Sequence, residues 1–208
     1  IKNNELDYDY NEENIFKGEN EFRFFETRSI KYPGKGQQSI ELIDNQYHAT
    51  LIPDQVRANQ RYRFTQDING QYLVELMNSD KPDVEADYIY VHFTLNLDQQ
   101  LFGGYVYVFG ALSNWECTRE NRMKWNEREK RYELSLLLKQ GSYSFQYAWM
   151  DAQDKQIKMG NLEGSFAETE NDYMVFFYHG MPYERYDRLI GYRKFNSNIN
   201  KSYGIQSN

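Results

Sequence analysis

Glu163, Glu168, Glu170 and Asp172 form the densest carboxylate group in the chain. Carboxylates this close suit a calcium site or an acid–base pair, and Glu168 and Glu170 would point the same way in an extended stretch. No regular calcium-loop pattern accompanies them, so a solvated acidic loop leading into the next strand is the competing reading. His48, His92 and His179 are far apart, and none stands near a serine or cysteine in a nucleophile-elbow pattern. That scatter predicts structural histidines and no metal site. Cys117 is the single cysteine, which rules out an internal disulfide and a multi-cysteine metal centre. It reads as a small packed residue or a reactive thiol beside Trp115. No catalytic residue and no cofactor are therefore expected, and the chain reads as a non-enzyme.

Recognition chemistry is better represented. The chain has 19 Tyr and 13 Phe, and Trp115, Trp125 and Trp149 add rigid faces of the kind enriched at binding hot spots. The segment Tyr183-Glu-Arg-Tyr-Asp-Arg-Leu-Ile-Gly191 mixes aromatic and charged residues. Arg185 and Tyr186 within it are candidate partner contacts, or they brace the fold.

The elements that must position these residues are strands. Period-two patterns predict strands over 21–25, 38–43, 47–51, 61–65 and 72–77, then over 86–95, 104–110, 131–138, 143–149 and 173–178. In the 131–138 run Tyr132, Leu134, Leu136 and Leu138 share a face, and in the next run Tyr143, Phe145, Tyr147 and Trp149 do. Tyr173-Met-Val-Phe-Phe-Tyr178 is apolar on both faces, as in the middle of a sandwich. Asp67-Ile-Asn-Gly70 predicts a tight hairpin turn. The polar, breaker-rich stretch Asn78-Ser-Asp-Lys-Pro-Asp-Val84 marks a domain boundary. The expected architecture is all-β, with a β-sandwich domain over 1–84, an immunoglobulin-like β-sandwich over 85–192 and a loose tail over 193–208.

A formal net charge of −7, with no run of Lys or Arg, excludes the footprint of a nucleic-acid binder. No apolar window reaches the length of a membrane helix, and outer-membrane strand patterning is not repeated, so no membrane insertion is expected. The chain starts at Ile1 without Met, which suggests a mature or truncated chain with any export signal upstream.

The order Val108-Phe-Gly-Ala-Leu-Ser-Asn-Trp115, Arg131-Tyr-Glu-Leu, Lys139-Gln-Gly-Ser-Tyr-Ser-Phe-Gln-Tyr147 resembles the early-set immunoglobulin-like domains that include glycogen- and starch-binding modules. That resemblance puts Trp115 at a sugar-stacking position and Gln146 near a polar ligand contact. The second stacking aromatic, expected over 151–157, is missing. A longer series runs through the chain: Asn4-Glu-Leu-Asp-Tyr-Asp-Tyr10, Glu13-Asn-Ile-Phe16, Asn20-Glu-Phe-Arg-Phe-Phe-Glu26, Asp67-Ile-Asn-Gly70, the Trp115 turn, Glu168-Thr-Glu-Asn171 and Arg185-Tyr-Asp-Arg-Leu-Ile-Gly191. This series resembles the plug proteins of type IX secretion. The resemblance implies a periplasmic protein with a further N-terminal β-domain that closes the outer-membrane translocon barrel by protein–protein contact. A glucan-binding module is the alternative.

Overall fold

The structure is a computed structural model that describes residues 15–197. The Asn4 motif and most of the expected tail lie outside the described residues. In chain order the elements are β1 (Arg23–Glu26), β2 (Gln37–Ile43), β3 (Gln46–Leu51), β4 (Asp54–Gln55), β5 (Tyr72–Val74), the helical turn α1 (Pro82–Glu85), β6 (Tyr88–Asn96), β7 (Gly104–Phe109), β8 (Lys124–Asn126), β9 (Arg131–Lys139), β10 (Gly141–Asp151), β11 (Ile157–Lys158), the helical turn α2 (Gly160–Glu163), β12 (Asp172–Gly180) and β13 (Asp187–Asn196). The fold is an all-β sandwich.

Two units divide the chain, and the division differs from the expected one. Asn20–Gly164 is a single unit; the second comprises, among the described residues, 15–19 and 165–197. The boundary expected at residue 84 is absent because strands from both sides of it share both sheets. β10 pairs with β1 and β5 through its first half and with β7 and β11 through its second, giving a five-stranded sheet. The six-stranded sheet runs β2-β3-β6-β9-β8, with β4 also on β6, and β3 lies parallel to β6. The breaker-rich stretch before residue 84 is only a connection containing α1. The tail starts later than expected, since β13 extends to Asn196.

Alternation builds the core between the sheets. Ile89, Val91, Phe93 and Leu95 of β6 face inward and meet Tyr143, Phe145 and Tyr147 of β10, with Leu134, Leu136 and Leu138 packed alongside. Phe25 of β1 stacks on Tyr143 at 5.1 Å and meets Phe93 and Phe145 edge-on at 5.5 and 5.7 Å. Offset and edge-on pairs of this kind add to the burial of large aromatic area.

The predicted Asn69-Gly70 turn forms without its hairpin. Both residues have positive φ, and Gln71 N–H donates to Ile68 O, but residues 61–65 are not a strand. Asp67 anchors the turn instead, accepting from the backbone N–H of Asn69 and of Phe22, each at 2.7 Å. The tight hairpin lies elsewhere, at Asp44-Asn45 between β2 and β3, where both residues also have positive φ. A Cβ at Gly70 would collide with the rings of Trp115 and Phe22. Gly70→Ala is expected to lower stability by about 1–3 kcal/mol, from left-handed strain plus ring displacement. The shift in urea midpoint measures it.

Candidate functional site

Glu163 is not part of a solvated acidic loop. It is 0% exposed, and its carboxylate is saturated by two guanidiniums and one backbone amide. Oε1 accepts from Arg23 Nε at 2.9 Å and from Tyr147 N–H at 2.7 Å, while Oε2 accepts from Arg57 Nε at 2.6 Å and an Arg23 terminal nitrogen at 3.0 Å. Arg23 also donates to Asp54 Oδ1 at 2.5 Å and Gln55 O at 2.8 Å. Tyr147 O–H donates to Asp54 Oδ2 at 2.8 Å, and the Arg23 guanidinium lies 5.0 Å from the Tyr147 ring centre.

Burial opposes charge on Glu163, yet Arg23, Arg57 and the hydrogen bonds hold its carboxyl below the usual range. At Asp54 burial wins, and its carboxyl is raised despite Arg23. Two guanidiniums and two carboxylates thus satisfy one another, a structural arrangement with no reacting atom left over. Asp172 belongs to the other unit, where it accepts from Asn196 at 3.0 Å and pairs with Lys194 at 2.7 Å; Asn196 also donates to Glu170 at 3.0 Å.

His48 and His92, read as scattered, are neighbours on the outer face of the six-stranded sheet. Their rings stack at 5.1 Å, with His48 Nδ1 2.9 Å from His92 Nε2, and His92 Nδ1 lies 2.7 Å from Ser135 Oγ. With both rings neutral, the two bonds run in one sense, from Ser135 through His92 to His48 or the reverse, according to the His92 tautomer. Glu41, opposite His48 in the ladder, accepts from Ser39 instead, so the relay has no carboxylate to orient it as a catalytic triad would. His92 and Ser135 border a cleft of ≈ 740 Å³ lined also by Arg119, Arg122, Lys124 and Glu133. His179 lies on β12 in the other unit. Among the described residues no group of three His, Cys, Asp or Glu side chains could hold a metal. Burial pushes the Cys117 thiol up to about 11, leaving little thiolate at neutral pH.

The four candidate contact residues separate. Trp115 is 41% exposed, with Phe22 and Phe109 edge-on to it at 6.0 and 5.7 Å. It is a partly exposed turn anchor, steeply inclined to both neighbouring rings and not part of a coplanar platform. Gln146 is 2% exposed, and its Nε2 donates to Asn20 O at 2.6 Å. The expectation of a ligand contact there is corrected: Gln146 is interior because both faces of β10 are covered along that stretch. Arg185 and Tyr186 lie in the exposed turn between β12 and β13. Sequence reasoning missed Arg23 and Arg57 as Glu163 partners, since no local pattern announces pairing across more than a hundred residues.

Two outcomes are expected. Glu163→Gln lowers the urea-measured stability by about 3–5 kcal/mol, because it removes the carboxylate charge that buried Arg23 and half-buried Arg57 share. Burial, then His48, lowers the His92 pKa below 6.5. The unfolded chain therefore binds more protons there, and stability falls as pH drops from 6.5 toward the folded value. Thermal melts at pH 7.5 and 5.5 should show that loss, and His92→Gln should shrink it.

No family model matches this chain, and no curated protein does. The crystal structure of a hypothetical protein from Parabacteroides merdae is similar, with 36% sequence identity and a TM-score of 0.78. The match covers 87% of this chain and 45% of that one, so the chain spans less than half of that protein's length.

Proposed function

We propose that this chain belongs to a non-catalytic periplasmic protein that gates the outer-membrane translocon barrel of type IX secretion by protein–protein contact. The observation that carries a contact role is the turn between β12 and β13. Tyr183 is 96% and Tyr186 63% exposed there, beside Arg185 and with the Arg188 guanidinium 5.9 Å from the Tyr186 ring centre. Aromatic rings interleaved with guanidiniums are the side chains that most often dominate binding energy.

The partner is the one the ordered motifs imply, from Asn20-Glu-Phe-Arg-Phe-Phe-Glu26 to Arg185-Tyr-Asp-Arg-Leu-Ile-Gly191. Supporting it over a sugar site, Gln146 is interior and Trp115 meets its aromatic neighbours at their edges, whereas a sugar platform needs flat faces side by side.

The test is a pull-down from detergent extracts of a type IX-secreting cell, using the tagged chain alone and within the longest polypeptide that contains it. The barrel should be recovered, and Tyr183→Ala/Tyr186→Ala should reduce recovery about tenfold. Recovery unchanged by the double substitution would move the contact off this turn. No barrel from either bait, with retention on starch or glycogen beads, would replace the proposal with glucan binding.

A further inference from the structure

β12 and β13 pair with each other along their lengths and with no other strand among the described residues. Residues directly opposite in an antiparallel ladder share a face. One face carries Tyr173, Val175 and Phe177 opposite Phe195, Arg193 and Gly191; the other carries Met174, Phe176 and Tyr178 opposite Lys194, Tyr192 and Leu189. From Met174 to Tyr178, all five apolar side chains are exposed, as are Leu189, Ile190, Tyr192 and Phe195. An antiparallel sheet at a protein surface keeps one face wet and polar, and a lone two-stranded ribbon is marginal in water. Among the described residues this ribbon presents two apolar faces and two open edges.

Gly191 places no side chain opposite Phe177, and a bulge follows Phe177. Val175, Phe177, Ile190 and Arg193 border an apolar cleft of ≈ 420 Å³ at that point, a socket for an inserted side chain. A second copy of this chain would fit poorly, because two stacked ribbons cover one face each and leave both outer apolar faces in water. Several strands are needed to cover both faces and satisfy both edges. In the P. merdae protein more than half of the chain lies outside the matched region, polypeptide enough for such a domain.

We propose that β12 and β13 are the closing pair of a β-domain whose remaining strands come from polypeptide outside this chain, corresponding to the unmatched part of the P. merdae protein. The hairpin is then a covalent tie between that domain and the Asn20–Gly164 sandwich. This inference does not depend on the gating role.

The test is amide hydrogen exchange on the 208-residue chain and on a single polypeptide joining it to the unmatched P. merdae region. Amides of β12 and β13 should exchange about 100-fold more slowly in the joined protein. Phe176→Asp and Phe177→Asp, one on each face, should each abolish that gain while β6 and β9 stay protected. Three results would overturn the proposal. One is hairpin protection already equal to that of β6 in the monomeric chain. Another is protection gained only on dimerisation or on adding phospholipid vesicles. The third is no gain in a joined protein whose β6 and β9 remain protected.

Discussion

Everything in the larger unit is arranged around a carboxylate that has lost all contact with water. Glu163 arrives on a helical turn too short to lend it a dipole, so its charge is sustained by Arg23 from β1, Arg57 from the connection after β4 and the amide of Tyr147 in β10. Arg23 reaches on to Asp54 in β4, and the Tyr147 hydroxyl reaches the same carboxylate from inside the core. The cluster therefore ties the five-stranded sheet to a strand of the six-stranded one. Ionic groups are costly to bury, and their geometry tolerates few alternatives. Apolar packing alone would accept β1 in several registers; a guanidinium fork between two carboxylates accepts one.

What could be read from the sequence was local. Tyr132, Leu134, Leu136 and Leu138 alternate as a half-buried strand, and they pack on the core as that pattern requires. Tyr143, Phe145 and Tyr147 do so too, but Gln146 looked solvent-facing by the same logic and is covered, because β10 is central and buried on both sides over that stretch. Periodicity finds the face turned to the core, and it cannot tell whether the other face is wet. The same limit hid the β3–β6 pairing that brings His48 to His92. Parallel neighbours are joined by long connections, and no short-range signal marks them. The breakers before Ala86 were real, but they end one strand and start another within the same sandwich. Asp44-Asn45 could have been recognised as the hairpin turn, since both residue types tolerate left-handed backbone.

The candidate site divides along similar lines. Residues singled out for their chemistry proved to be internal structure where they have buried partners, as Glu163 does, and surface where they stand in a turn, as Arg185 and Tyr186 do. Trp115 is intermediate: its ring closes over Gly70 and stands perpendicular to Phe22, while part of the residue meets solvent. A resemblance in motif order can suggest a partner. Which side chains are free to meet it follows only from which of them the fold has already used.

β10 carries a further consequence for how the chain comes to be folded. Its first half receives a strand that begins at Arg23, and the ion pair sealing that contact spans 140 positions in sequence. The sheet cannot close until most of the polypeptide has been made. Until then Phe24 and Phe25 wait beside a guanidinium that lacks its Glu163 partner. Chains dominated by such distant pairings fold slowly, and their unfinished strands are prone to aggregate. In any cell that makes it, this protein therefore has a long interval, between synthesis and closure of the sandwich, in which it depends on being held apart from its own kind.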